Sequence, residues 1–371
     1  MATGPTHKKA EAASGREPAT RRRRAPDKTA ACLFKNETPE TVVGYYRQMV
    51  MVRRFEERCA EMYQRAKIGG YCHLNLGEEA TVVGLMAGLQ PRDYLFTNYR
   101  EHGYALARGV EPGRVMAELF GRQTGVSGGW GGSMHLFDVK ARLLGGYAIV
   151  GGQIPLATGA ALAISYRGGN EVVMCQMGDG TTNVGAFHEC LNLAGVWDLP
   201  IVFVVVNNLL GMGTTVEASS AEPELWRRGC AHRIPGERVD GNDVLAVREA
   251  TRNAVELSRF EQRPFLLEAI SFRLRGHSVV DPARYRSKED TELAREADPI
   301  PSLRAELAAA GVLDDADAAK LDAEVDQEVD AAVAFADESP DPPRSELFAK
   351  VYATPVANAP HLFPGDPVPS G

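Results

Sequence analysis

Two short polar clusters, each placed directly after an apolar run, are the residues of this chain best suited to do chemistry. Glu171–Met177, rich in Val and Met, runs into Gly178-Asp179-Gly180, and Ile201–Val206 runs into Asn207-Asn208. Asp179 offers a carboxylate and Asn208 a side-chain amide. Both are hard oxygen donors of the kind Mg²⁺ takes, with phosphate oxygens and water completing its octahedron. Gly178 and Gly180 let a diphosphate approach the backbone, and a following helix start adds free N–H groups and the positive end of its dipole. A GDG triplet alone is most often a turn and an NN pair a loop; their joint placement is what carries weight.

The elements that must position them follow from periodicity. The two runs read as buried parallel strands, and helical spacing from Asn183 to Val196 puts Phe187, Cys190, Leu191 and Ala194 on one stripe. Strand, helix, strand is a βαβ crossover, whose strands end on one edge of the sheet. Asp179 and Asn208 are therefore predicted neighbours on the edge where open α/β sheets bind ligands. The predicted fold class is α/β, a mostly parallel sheet with helices on both faces plus C-terminal helices.

Other segments bring further polar groups to strand ends. A helix starts at Thr38-Pro39 and runs to about Ala66, a second covers Glu78 to Leu89, and the short strand Tyr94–Thr97 delivers Asn98-Tyr99-Arg100. Arg100 can clamp a phosphate bidentately and Tyr99 can donate one more hydrogen bond. Residues 121–133 hold six glycines and are predicted irregular. Ile149–Ile154 leads through Pro155 into a small-residue helix, Leu156–Ser165, able to pack tightly under the sheet. A strand within Arg263–Arg275 ends at Gly276-His277-Ser278, and helices are predicted over 301–310 and 315–338, the latter as structural cover.

Composition bounds the rest. The chain has 371 residues, 44% of them hydrophobic, enough for a substantial core, and no apolar stretch approaches the roughly 18–20 residues that span a bilayer. The N-terminus lacks the apolar segment of a secretory signal. Six cysteines are scattered without a CxxC pair and read as reduced core thiols, which fits a cytosolic or matrix compartment, with the bacterial cytoplasm the expectation. Net charge is −8, yet residues 1–31 carry eight Lys or Arg against three acids, a balance of +5 that leaves −13 for the body. An acidic body argues against nucleic acid as the main partner. The predicted organisation is a disordered basic tail at 1–31, one domain at 32–353 and a Pro-rich tail at 354–371.

GDG, 26 residues and then NN resembles the thiamine-diphosphate motif. Around it, GYCHLNLGEEA, TNYREHGYALARG, GGSMHLF, IVGGQIPLATG, NNLLGMGT and RLRGHSVVDPARYR stand in the order found in alpha subunits of two-chain 2-oxo acid dehydrogenase E1 components. This resemblance covers about residues 35–350. It implies a thiamine-diphosphate-binding fold, and the wording is most similar to family members acting on pyruvate. The implied activity is decarboxylation of pyruvate and reductive acetylation of the lipoyl group of E2, with thiamine diphosphate and Mg²⁺ as cofactors.

The resemblance also assigns residues. Asp179, Asn208 and the backbone carbonyl of Leu210 are implied Mg²⁺ ligands. Tyr99, Arg100 and His277, with Gly178, Gly180 and Thr181, are implied to hold the cofactor, and the backbone at Ile149-Val150 to meet its aminopyrimidine. His73 and His277 are the implied catalytic histidines, placed to steady oxyanions or move protons, whereas His188 and His232 are discounted. Relatives usually carry Tyr at Leu210 and often Gly at Ala148. The carboxylate needed against the aminopyrimidine is implied to come from a beta subunit in an α2β2 tetramer, with the lipoyl domain and core of E2 as further partners. Ser278 matches a regulatory phosphoserine, where phosphate would add about −1.5 to −2 charge. Two other readings use the same residues: an E1 alpha for branched-chain 2-oxo acids or acetoin, and a non-catalytic diphosphate-binding regulatory subunit.

Overall fold

Ile201–Val206 is buried along its whole length, and its side chains divide by parity between two cores. Val202, Val204 and Val206 join the larger cluster, whereas Ile201, Phe203 and Val205 join the smaller one. That is how a strand with both faces covered must read, because successive side chains point to opposite sides. The computed structural model describes Phe34 and residues 37–346; the basic tail, Cys32 and the Pro-rich tail lie outside the described residues.

Six strands form one sheet: β1 (Tyr94–Asn98), β2 (Leu143–Tyr147), β3 (Val173–Gly178), β4 (Ile201–Asn207), β7 (Gly236–Asp240) and β8 (Phe265–Ile270). Their order is β2-β1-β3-β4-β8-β7 and every pairing is parallel. Two dipeptides, β5 (Leu210–Gly211) and β6 (Thr214–Thr215), make a small antiparallel ladder beyond β4.

On the larger-core face lie α1 (Pro39–Gln64), α2 (Glu79–Ala87), α3 (His102–Ala107) and α4 (Pro112–Leu119). The other face is covered by α5 (Gln153–Arg167) and α6 (Gly185–Val196), followed in the chain by the single turn α7 (Val216–Ser219). Then come α8 (Val244–Glu261), α9 (Lys288–Glu296), α10 (Pro299–Ala309) and α11 (Asp315–Glu338). Both faces of the sheet thus carry helices, and C-terminal helices complete the larger core, as expected from the sequence. Val325, Val329 and Ala332 of α11 are buried, while its acidic side pairs with Arg54 of α1 through Asp326 (3.3 Å) and with Lys67, just beyond the end of α1, through Asp337 (2.6 Å). Such exposed pairs add little, so apolar burial holds this helix in place.

Several boundaries differ from the expected ones for identifiable reasons. Helix α5 starts at Gln153, ahead of Pro155, because proline in a first turn removes only an N–H that has no helical partner. Its opposite face is open: Leu156 is 52% and Tyr166 91% exposed, so the helix packs under the sheet on one side only. Cys59, Cys72, Cys175 and Cys190 are buried free thiols as expected; Cys230 is exposed and departs from that reading.

Candidate functional site

The chain leaves β1 toward β2 on one side and β3 toward β4 on the other, so the winding reverses between β1 and β3. A crevice opens at the carboxyl ends of strands at such a reversal. Arg100 follows β1, Asp179 follows β3, Asn208 follows β4 and Arg273 follows β8, and all four are buried. Gly178 and Val206 are partners in the β3–β4 register, which brings the two polar clusters side by side.

Each cluster has a local cause. Asp179 opens a 3₁₀ turn, Asp179–Asn183, which also holds Gly180 and the buried Thr181. Thr182 Oγ1 donates to the Asp179 carbonyl (2.8 Å) and Arg228 donates to the Thr182 carbonyl (2.6 Å), so the turn is held at both ends. The two asparagines have different jobs. Asn207 is structural: its Nδ2 donates to Glu268 on β8 (2.7 Å) and its Oδ1 accepts from the Leu209 N–H (2.9 Å). That bond supports Leu209 at φ 69°, a left-handed backbone that leucine rarely adopts and that turns Leu210 and Gly211 back over Asp179. A Cβ on Gly211 would stand 3.8 Å from Asp179 Oδ2.

Asn208 faces the pocket. Its Nδ2 donates to Glu78 Oε1 (2.9 Å), and its Oδ1 is buried without a hydrogen-bond partner. His73 Nδ1 and Arg273 Nε are in the same condition. Buried polar atoms without partners cost roughly 1–3 kcal/mol each, so three gathered around one pocket fit a place completed by a ligand. An amide oxygen beside a carboxylate fits a hard cation, and guanidinium N–H groups beside them fit its anionic counterpart.

Two loops run side by side to form the wall holding both histidines. The Leu274 N–H donates to the Leu76 carbonyl (2.9 Å) and the Val279 N–H to the Cys72 carbonyl (3.0 Å). Gly77 makes the approach possible: its φ is +97° and a Cβ there would fall 2.1 Å from the Phe272 oxygen. The His73 and His277 rings consequently sit 5.0 Å apart, with the Tyr99 ring 4.3 Å from His73. Arg100 buckles the wall, donating to the carbonyls of Leu74 (2.6 Å) and His277 (2.9 Å). Ser278 is half-buried beside His277. Val150, 48% exposed, stands at the rim on the turn before α5, where a Cβ on the adjacent Gly151 would be 2.7 Å from Val184. All the sequence-predicted site residues thus gather at one edge, with Val150 and Leu210 at its margin.

Electrostatics reflect the burial. Desolvation, reinforced by Arg100, pushes His73 down to about 3 and His277 to about 4, so both imidazoles are neutral near pH 7. Desolvation raises Asp179 to about 6 against the pull of Arg273 and Arg100. Arg273 contacts His277 Nδ1 (3.2 Å) and the Met212 carbonyl (3.3 Å). Asp281 caps the loop, accepting from the His277 N–H (2.7 Å) and from Tyr285 (2.5 Å).

Sequence reasoning did not single out Glu78, Arg273 or Glu118. Arg273 lies four residues before His277 on the predicted strand and opens the block RLRGHSVVDPARYR, but neither placement gave it a role. Glu118 Oε2 accepts from the N–H groups of Ser127 and Gly129 (both 2.8 Å) and Oε1 from Gly131 (2.7 Å) and Gly132 (3.2 Å), shaping the glycine-rich stretch from within. That stretch ends at Ser133, whose Oγ meets His102 Nε2 (2.8 Å); His102 Nδ1 meets Glu56 (2.8 Å).

A doubly covered parallel sheet with metal- and anion-competent groups at its reversal point defines a ligand-binding α/β protein. The chain belongs to the dehydrogenase E1 component family, which matches residues 47–345. It is 45% identical to the pyruvate dehydrogenase E1 component subunit alpha of Zymomonas mobilis, covering 84% of this chain and 88% of that protein. To the subunit of the same name from Rhizobium meliloti it is 43% identical, over 82% of this chain and 88% of the relative. To the chloroplastic subunit alpha-3 of rice it is 42% identical, over 88% and 79%.

Proposed function

We propose that this chain is the alpha subunit of a pyruvate dehydrogenase E1 component, working with thiamine diphosphate and Mg²⁺. The observation that carries the reading is the partnerless buried oxygen of Asn208 at the strand end next to Asp179, in a chain of this family. Asp179, Asn208 and the carbonyl of Leu210 would hold the metal. Tyr99, Arg100 and His277 would take the diphosphate, with the backbone of Gly178, Gly180 and Thr181 close to it, and the Val150 backbone would meet the aminopyrimidine. The cofactor, when bound, supplies a carbanion and an electron sink for decarboxylating a 2-oxo acid.

His73 and His277 act as neutral imidazoles at first, each offering one N–H donor and one acceptor nitrogen. An anion brought beside Arg100 would offset the positive field on them and raise their proton affinity, so both gain acid–base capacity on loading. Arg100 does not reorganise to help. Its two terminal nitrogens each spend one N–H on a loop carbonyl and keep a second for a phosphate.

The segments around the site carry exposed apolar side chains: Ile149 is 76%, Met212 61% and Val280 58% exposed. The outer faces of α5 and α6 add Leu162, Tyr166 and Val196, and Trp197 follows at the end of α6. Exposed apolar groups in such number support a partner chain, here a beta subunit that brings the missing carboxylate, in an α2β2 assembly that delivers its product to lipoyl-bearing E2. Buried reduced thiols and bacterial relatives support the cytoplasm. No helix among the described residues is long and apolar enough to cross a membrane.

The test is to purify the chain with its beta subunit and follow artificial electron-acceptor reduction with thiamine diphosphate and Mg²⁺, offering pyruvate, a branched-chain 2-oxo acid and acetoin in parallel. Turnover of pyruvate, lost in Asp179→Ala, is expected. Preference for another substrate would correct the specificity, and a well-formed complex that binds no cofactor would make this chain a non-catalytic subunit.

A further inference from the structure

We propose that Glu78 is the positioning residue of the metal site, the carboxylate that decides which atom of the Asn208 amide faces the metal. An asparagine side chain presents either oxygen or NH₂, and only the oxygen ligates a cation. Nothing in Asn208 itself makes the choice. Glu78 does, because an ionised carboxylate only accepts: Oε1 takes Nδ2 of Asn208 at 2.9 Å, and the reversed amide would set two oxygens against each other at that distance. Oδ1 is thereby turned away from Glu78 and left buried and partnerless.

Glu78 is itself held from behind. It is 2% exposed, and Oε2 accepts from Nδ2 of Asn75 (3.1 Å) while lying 3.8 Å from Nε of Arg100. The Asn75 amide cannot turn either, since its Oδ1 accepts from the Gly103 N–H (3.1 Å), and its backbone is held by the donation of its main-chain N–H to Glu56 (3.0 Å). The carboxylate also stands immediately before the first turn of α2, where the helix dipole favours negative charge. One buried group therefore ties the metal amide to the phosphate arginine. Any tilt of α2 is felt at both.

The inference rests on the reading of Asp179 and Asn208 as the Mg²⁺ site, and the experiment separates the two. In the complex with the beta subunit, thiamine diphosphate binding is titrated with Mg²⁺ by tryptophan fluorescence or calorimetry, alongside the thermal midpoint of the cofactor-free complex. Glu78→Gln keeps the volume but puts an NH₂ on the residue, so the Asn208 amide is free to reverse. The concentration of Mg²⁺ at half-saturation should rise at least tenfold, with little loss of thermal midpoint. Asn208→Asp alone should also weaken Mg²⁺ binding, because two carboxylates then face each other.

The double variant Glu78→Gln/Asn208→Asp should recover most of the wild-type Mg²⁺ response: the glutamine NH₂ donates to one aspartate oxygen and the other faces the metal whichever way the group turns. A residue that merely supports the fold would give additive losses. The idea is overturned if Glu78→Gln lowers the thermal midpoint without moving the Mg²⁺ titration, or if the double variant binds no better than the worse single one. Absence of any Mg²⁺-dependent cofactor binding in the wild-type complex would instead remove the site reading, and this proposal with it.

Discussion

Asp179→Asn should stabilise the cofactor-free protein while abolishing its response to cofactor. Burial raises the Asp179 carboxyl from 3.8 to about 6, so the folded chain holds that proton more tightly than the unfolded chain. Stability from this group is full below pH 3.8 and falls as pH rises through about 6. A shift of roughly two units corresponds to about 3 kcal/mol lost by pH 8, and about half of that is already lost at pH 5. Asparagine keeps the shape and removes the ionisation. The assay is denaturant unfolding of the complex at pH 5 and pH 8, with and without Mg²⁺ and thiamine diphosphate. Without cofactor the variant should exceed wild type by about 3 kcal/mol at pH 8 and by about 1.5 at pH 5. With cofactor at about a hundred times its dissociation constant, wild type should gain about 2.7 kcal/mol and the variant nothing. A variant less stable than wild type at pH 8, or one that gains equally from cofactor, would refute the reasoning.

Three further outcomes follow from the same contacts. His73, held near 3 against an ordinary 6.5, contributes stability that is present above pH 6.5 and lost as pH falls, so His73→Gln should lose about 2 kcal/mol less than wild type between pH 7 and pH 5; parallel pH curves would contradict this. Glu118→Ala strips four backbone N–H groups of their acceptor and should cost about 3 kcal/mol or more, with new proteolytic cleavage between residues 121 and 134 and a milder effect from glutamine. Unchanged proteolysis would count against it. Arg259→Ala leaves Asp93 buried without its cation, a 2.7 Å pair, and should destabilise by about 3–5 kcal/mol while leaving the Mg²⁺ titration where it was.

The parts of this fold that could be read from sequence are those whose pattern is local. Ile201–Val206 announced itself because a strand covered on both faces reads as an unbroken apolar run, Glu171–Met177 did so through its Val and Met around the buried Gln176, and the polar residues after them then had to meet at one edge. β2 hid because Leu143–Tyr147 contains two glycines, one of them, Gly146, pressed against Glu101 so closely that a Cβ would collide with its carboxylate. β7 hid because an edge strand is half wet and Gly236–Asp240 carries three charges in five residues. Helix α8 buries Thr251 and Ser258 together with Val247 and Ala254, which blurs its apolar stripe. In the pocket, His277 was legible as a polar group after a glycine at a strand-end loop, whereas His73, on the loop between α1 and α2, stood out only through the family resemblance. Glu78 and Glu118 were not, since a carboxylate at a helix end reads as solvated until the chain that covers it is known.

The pocket's unequal treatment of its charges has a single physical explanation. Arg100 has spent part of its donor capacity on backbone carbonyls of the loops that carry the histidines, and Arg273 part of its own on the Met212 carbonyl and the His277 ring, so the positive side is rigid before any ligand arrives. The oxygen side is left short: Asn208 Oδ1 has no partner and Asp179 is held against its own ionisation. A site built the opposite way, with free arginines and satisfied oxygens, would take up phosphate and leave the metal to follow. Here the unmet demand lies with Asn208 Oδ1 and Asp179, and the two charges of the proposed metal–diphosphate pair would answer both sides in one step. Affinity for either partner alone should therefore be much weaker than for the pair, because each would leave the other half of the pocket uncompensated. The same reasoning explains why a non-ligand such as Glu78 has to be buried so deeply, since the amide it orients has no second bond to hold it.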